Sequence, residues 1–231
     1  EDLSFAANPN GPWSYGASPH AAPPAAPVTT TFYPYNSSFT ESGSGAPWWH
    51  YDSSHPFYSS AIVPCLYYNN TSGSVYGCPA GMAALHSGIT SGSEAIAVVR
   101  WIAPASGTIQ ISGTFYAGNS GRCDYYVIYN QIMVLISELD TYNQFSFSLN
   151  INVSTGDTLD FGVGAGTDGG SADTTPLEVE IAAPTCAGLG DYLKTDINQD
   201  CIINLKDFWI FAEQYLNYNN PQDSDCSLMG P

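Results

Sequence analysis

The sequence predicts an all-β protein: a jelly-roll β-sandwich followed by a small appendage of different character. Three observations predict it. Between residues 95 and 181, apolar and polar residues alternate with period two in short runs, which puts one face of each run in a core and the other in water. Gly, Pro, Asn and Asp turn signals separate these runs at regular spacing. After Ala182-Ala183-Pro184 the alternation stops and a short helical period replaces it.

Residues 1–60 alternate small aromatic clusters with Pro, Gly, Ser and Ala, including the Pro/Ala-rich run from Ala21 to Pro27. Proline at this density removes ladder donors, so extended segments and loops with few strands are expected. Phe5, Trp13, Tyr15, Phe32, Tyr33, Tyr35, Trp48 and Trp49 carry apolar area that must be covered, so this is an arm lying on a surface. Ala95 to Ile102 is β-branched and apolar, and ends before Pro104. Ser106-Gly107 turns it into Thr108 to Phe115. Tyr125 to Ile136 is an apolar run broken by Asn130-Gln131, the pattern of a hairpin. In Phe145 to Val153 the odd positions are apolar and the even ones Ser or Asn. Thr158 to Val163 and Leu177 to Ile181 complete the set. The domain boundary falls near Pro184, giving a sandwich with its N-terminal arm over 1–183 and a separate segment over 184–231.

Composition excludes two classes of partner. With 4 Lys+Arg against 21 Asp+Glu among 231 residues, the formal net charge is −17. Nucleic acid and anionic membrane surfaces are both captured by clustered cations, which this chain lacks. No run of 18 apolar residues exists to insert into a bilayer. The 44% hydrophobic content is ample for a core.

Cys65, Cys78, Cys123, Cys186, Cys201 and Cys226 form an even set without a CxxC pair, which reads as disulfides in an oxidising compartment. Six cysteines allow 15 connectivities. Proximity favours Cys65 with Cys78 and Cys201 with Cys226, leaving Cys123 with Cys186. The chain opens at Glu1 with neither Met nor an apolar leader, as expected of a secreted protein after processing, at the cell surface or beyond it. Asn36, Asn69, Asn70 and Asn152 each open an Asn-x-Ser/Thr triplet and are candidate glycosylation sites.

The strongest chemical signal runs from Asp196 to Asp207. Calcium takes six to eight oxygen ligands, and a 12-residue loop supplies them from positions 1, 3, 5, 7, 9 and 12. Counted from Asp196, these are Asp196, Asn198, Asp200, the carbonyl of Ile202, Asn204 and Asp207, an EF-hand-like Ca2+ loop. Ile203 is its apolar anchor. Phe208, Phe211, Ala212, Tyr215 and Leu216 then recur with helical spacing. The run from Asp196 to Leu216 resembles one calcium-binding half-repeat of a dockerin, the module that plugs secreted bacterial proteins into extracellular assemblies. Position 6 is Cys201 where the pattern has Gly. The resemblance implies a structural calcium ion. It also names a cohesin-type partner, which dockerins engage through two such repeats, whereas this chain carries one.

Asn8 to Gly16, His86 with Val98 to Pro104, and Gly156 to Gly164 resemble a widespread type of secreted bacterial jelly-roll domain, close in architecture to carbohydrate-binding modules. The likeness covers most of residues 1–183 and implies a fold and a secreted habitat without implying a reaction.

Catalytic patterns fail on inspection. Gly164-Ala-Gly166-Thr-Asp-Gly169 has the spacing of a dinucleotide loop but precedes no helix. His20, His50, His55 and His86 show no metal-binding spacing, and no GxSxG elbow occurs. Glu138 with Asp140, or Glu178 with Glu180, point the same way from a strand instead of facing each other as glycosidase carboxylates do. Asp168 and Asp173 are candidates for a second calcium. The expectation is a non-enzyme.

Two functions remain. The chain is a structural or adhesive subunit of a self-assembling surface structure or filament, in which the arm or an open strand edge meets the next copy. Alternatively it is a glycan-binding protein, with Trp48, Trp49, Tyr67 and Tyr68 stacking on sugar faces.

Overall fold

The computed structural model describes residues 3–20, 31–90, 93–182 and 208–211. The chain divides into two compact units, Glu1–Ile181 and Ala182–Pro231. In the second unit, residues 208–211 form one helical turn, at the head of the predicted helical period. The calcium-loop residues Asp196, Asn198, Asp200, Ile202, Asn204 and Asp207 lie outside the described residues. So do Cys186, Cys201, Cys226, Pro184 and the run from Ala21 to Pro27.

The first unit is built of strands β1 (Trp13–His20), β2 (Tyr33–Pro34), β3 (Ser37–Thr40), β4 (Pro47–His50), β5 (Cys65–Tyr68), β6 (Ala83–His86) and β7 (Gly88–Thr90). They are followed by β8 (Ser93–Ile102), β9 (Gly107–Phe115), β10 (Cys123–Tyr129), β11 (Met133–Thr141), β12 (Phe145–Val153), β13 (Thr158–Ala165) and β14 (Thr175–Ala182). One sheet runs β11-β10-β13-β8-β1-β2, with β7 also on β8; the other runs β12-β9-β14-β6-β5-β4-β3. From β8 to β14 the chain crosses repeatedly between the two sheets, the connectivity of a jelly-roll sandwich.

The core is the layer between the sheets. Phe115 of β9 stacks on Tyr125 of β10 at 5.0 Å and 2°, and Phe147 of β12 on Phe161 of β13 at 5.9 Å and 19°. Each ring joins one sheet to the other, and each such side chain taken fully out of water contributes about 1.5–3 kcal/mol. β13 is buried at every position, because its other face lies under a second apolar cluster of Ile96, Val98, Tyr126 and Ile128. On that face Arg100 reaches Asp160, its direct cross-strand neighbour, through Nε–Oδ1 at 2.6 Å and Nη2–Oδ2 at 2.7 Å.

The strands expected from alternation are present, and β12 spans Phe145–Val153 as read. The hairpin at Asn130-Gln131 is also present, with φ of 48° and 69° at the two turn residues, the primed geometry that matches strand twist. The N-terminal arm departs from expectation. It supplies β1, which lies between β8 and β2 with an eight-residue register against β8. Tyr15 and Ala17 are buried in the main core, and their burial outweighs the local preference for loop. Asn8 extends this ladder: its Oδ1 accepts from Tyr15 N at 2.9 Å, and its Nδ2 donates to the carbonyls of Tyr15 and Tyr35.

The expected Cys65–Cys78 bridge is not formed. Both are free thiols buried in one small cluster, and Cys78 Sγ donates to the carbonyls of Pro79 and Met82. Cys123 is likewise a buried free thiol, held between Thr175 Oγ1 and the carbonyl of Asp173.

Candidate functional site

The four aromatic residues predicted to stack on sugar faces divide between the two faces of one sheet. Side chains alternate along a strand, so Trp48 and Trp49 must face opposite ways, as must Tyr67 and Tyr68. Cross-strand register then assembles each face. Phe39, Trp48, Tyr67 and Ala84 sit opposite one another across β3, β4, β5 and β6, on the side away from the sandwich core. Trp49, Leu66 and Leu85 form the parallel row facing inward. Trp49 is a core residue, stacked on Phe5 at 6.2 Å and donating its indole N–H to Ser4 O at 2.8 Å.

Phe39 and Trp48 of the outward row line a pocket of about 310 Å³, together with Glu41, Ala61, Ile62, Val63, Tyr76, His86, Asn119 and Thr174. Its rings are held by one stacked and one edge-to-face contact. Trp48 stacks on Tyr67 at 4.5 Å and 14°, while Tyr76 meets Trp48 nearly perpendicular at 5.8 Å. Tyr76 reaches this position through a two-residue turn, Val75-Tyr76-Gly77-Cys78, with φ of 48° at Tyr76 and 83° at Gly77. Only glycine fits at position 77, since a Cβ there would lie 2.4 Å from the carbonyl oxygen of Gly118. Tyr67 Oη donates to Val75 O at 3.0 Å and ties the turn to the aromatic floor. Ile62, on the opposite wall, has φ of 64°, an outlier for a β-branched residue and a site of stored strain.

The polar groups of this pocket are few and fixed. Glu41 accepts from Gly43 N at 2.8 Å and Ser44 N at 2.6 Å, and these backbone donors hold its carboxyl below the ordinary value. His86 Nδ1 sits 2.7 Å from Ser87 O, so Nδ1 carries the proton and Nε2 is an acceptor. Burial lowers the His86 pKa, which keeps the ring neutral near pH 7. The indole N–H of Trp48 is buried with no acceptor among the described residues. An orphaned buried donor costs about 1–3 kcal/mol and calls for an explanation.

A second concavity of about 800 Å³ opens between the sheets, where β14 continues past its three-residue ladder with β6. Leu3, Phe5, Trp13, Leu66, Leu85, Leu177 and Val179 line it, with Tyr68 and the Tyr116–Glu178 hydrogen bond of 2.9 Å as its principal polar features. Phe5, Trp13, Tyr15, Tyr68 and Tyr116 make this wall aromatic as well, and it holds Tyr68, one of the predicted stacking residues.

The other predicted positions are dispersed. Asp140 is held by Arg122 at 2.7 Å and by Thr167, and the exposed Glu178 is taken by Tyr116, so neither carboxylate pair opposes another across a cleft. Asp168 accepts from Arg122 N, and Asp173 is buried against Ser87 Oγ at 2.6 Å; both lie beside the segment from Gly121 to Cys123. No group of three or more metal-ligating side chains occurs among the described residues. The glycine-rich run leads from β13 to β14, not into a helix. Asn36, Asn70 and Asn152 are exposed, but Asn69 is buried, its Nδ2 donating to both Gly73 O and Cys78 O at 2.7 Å. A glycan on Asn69 is therefore incompatible with this fold. Glu41, Tyr76 and His86 were missed as site residues, because their shared pocket arises from segments about 35 and 10 residues apart that only sheet pairing unites.

No protein-family model matches the chain, and no curated protein matches it. Among solved structures, a family 35 carbohydrate binding module from Clostridium thermocellum is 13% identical, with 43% of this chain and 85% of that chain covered and a TM-score of 0.27. A family 35 module from an environmental isolate is 19% identical over 38% of this chain and 70% of that one, at a TM-score of 0.24. A beta-glucosidase from Kluyveromyces marxianus is 11% identical over 95% of this chain and 19% of that one, at 0.30. Likenesses this slight decide nothing about function, which is read from the chain's own geometry.

Proposed function

We propose that this chain is a non-catalytic, extracellular glycan-binding protein that takes a neutral sugar residue in the pocket on the outer face of β3 to β6. The gathering of the Trp48 and Tyr76 rings with Glu41 and His86 in one pocket carries the reading: the rings offer flat faces to a sugar, and Glu41 and His86 Nε2 are acceptors for its hydroxyls. No Lys or Arg lines the pocket, and a net charge of −17 disfavours acidic glycans. The calcium loop from Asp196 to Asp207 belongs to the proposal as a structural ion site, supported by its donor pattern.

A glycan array followed by calorimetric titration tests the reading. A neutral glycan is expected to bind the native protein. Glu41→Gln should weaken it about tenfold or more, the effect of losing a charge-assisted hydrogen bond. Tyr76→Ala should weaken it comparably, with both variants unfolding at the native temperature. Absence of binding across neutral glycans, or binding indifferent to both changes, overturns the proposal.

A further inference from the structure

We infer that the cavity between the sheets is a second binding site, which takes an organic cation: an apolar body held inside the sandwich and an ammonium group at the mouth, beside Glu178. It shares no lining residue with the outer pocket. The cavity exists because one ladder stops short. β14 pairs with β6 only at Thr175, Pro176 and Leu177, yet it runs on to Ala182. The chain before β6 turns toward β5 instead: Gly81 N donates to Asn69 O at 2.7 Å, and Asn69 N to Met82 O at 2.9 Å. Val179 therefore has no strand beside it on the β6 side among the described residues. Side chains alternate between the faces of a sheet. Leu177 and Val179 point inward with Leu85, whereas Glu178 and Ala84 lie on the outer face, and all five line the one cavity. It therefore passes through the sheet.

At about 800 Å³ the space has the size of a small-molecule site, about 300–1,000 Å³. Its floor is the main core, reached at the buried Tyr15, Leu66 and Leu85. The N-terminal arm closes one side. Ser4 N donates to Tyr15 Oη at 3.3 Å and Ser4 O accepts from Trp49 Nε1 at 2.8 Å, which fixes Leu3 and Phe5 as walls. Phe5, Trp13, Tyr68 and Tyr116 make the lining rich in rings, and an ammonium is attracted to the electron-rich faces of such rings.

Charge decides the class of ligand. Glu178 lines the cavity, and no Lys, Arg or His does so among the described residues. Tyr116 Oη donates to Glu178 Oε2 at 2.9 Å, which holds the carboxylate at the mouth without neutralising it. Glu180, two residues on, is exposed on the same face of the strand. Two like charges side by side deepen the negative potential there, in a chain whose formal charge is −17. An anionic ligand is repelled from this mouth, a neutral one gains nothing from it, and an ammonium is drawn in.

Three probes that share one apolar body, phenylbutylammonium, phenylbutanol and phenylbutanoate, test this by calorimetric titration of the full chain at neutral pH. At low salt the ammonium should bind about threefold or more tighter than the alcohol and about tenfold or more tighter than the carboxylate, and salt should narrow both gaps. Glu178→Gln should weaken the ammonium about threefold, the scale of an exposed ion pair, and leave the alcohol unchanged. Ala83→Phe, which fills the cavity from β6, should weaken ammonium and alcohol alike. Glu138→Gln on β11 removes the same charge from the other sheet and should leave binding unchanged. The Glu178 and Glu138 variants decide the matter even if Ala83→Phe does not fold. No saturable binding of the ammonium, equal affinity for the three probes, or equal effects of the Glu178 and Glu138 variants overturns the proposal. None of these outcomes bears on glycan binding, which uses the outer pocket.

Discussion

Trp48 and Tyr67 lie directly opposite on β4 and β5, with their rings 4.5 Å apart and 14° from parallel. Trp48 is the member of the pair that lines the outer pocket, and the Tyr67 hydroxyl ties the stack to the turn that places Tyr76. Tyr67→Phe keeps the stack but leaves Val75 O without this donor. The expected cost is about 1–3 kcal/mol, with glycan affinity reduced alongside it. Chemical denaturation and calorimetric titration of the same variant check both; affinity unchanged at reduced stability would detach Tyr76 from the site.

Arg100 and Asp160 form a bidentate pair, with Asp160 fully buried. Removing one member strands the other, at a cost of about 3–5 kcal/mol. Asp160→Asn should therefore lower Tm by about 10 °C or more, given about 2–4 °C per kcal/mol at this size. Scanning calorimetry decides it, and a shift under about 2 °C would show the pair to be dispensable.

Burial depresses the pKa values of His50, His55 and His86 below 6.5. The unfolded chain then binds more protons than the folded one as pH falls below that value, so stability declines from there toward the depressed folded values. Asp52, Asp140 and Asp157 are lowered as well, by hydrogen bonds from Ser54, Arg122 and Ser154 first, and their contribution is lost only below the ordinary carboxylate value of 3.8. Denaturation midpoints between pH 4 and 8 should show the first decline as a separate step, and His86→Gln should reduce it. A flat profile from pH 7 to 5 would contradict this assignment.

Burial raises the Cys78 thiol to about 11 and the Cys123 thiol to about 12, and pushes Cys65 higher. Thiolate is the reactive form, so all three should resist alkylation at pH 8 in the native protein. After unfolding without reductant, peptide mapping should find Cys65 and Cys78 alkylated. A requirement for reductant would restore the bridge between them.

The donor pattern from Asp196 to Asp207 is proposed to bind one calcium ion. Isothermal titration should detect a single site in the full chain, abolished by Asp200→Ala. Binding that survives this change would place the ion elsewhere.

Alternation with period two is a local property, and it sufficed to locate β8 to β14, the Asn130-Gln131 hairpin and the all-β class from residues a few positions apart. It also carried the reason why Trp48 and Trp49 cannot share a surface. Which strands pair is not local. The burial of β1, the meeting of Arg100 with Asp160, the gathering of Glu41, Tyr76 and His86 around one pocket, and the exposure of β11 at an edge all depend on ladders between distant segments. Those ladders are selected by the core as a whole, where burial of rings such as Phe115 and Phe161 outweighs the preferences of any single stretch.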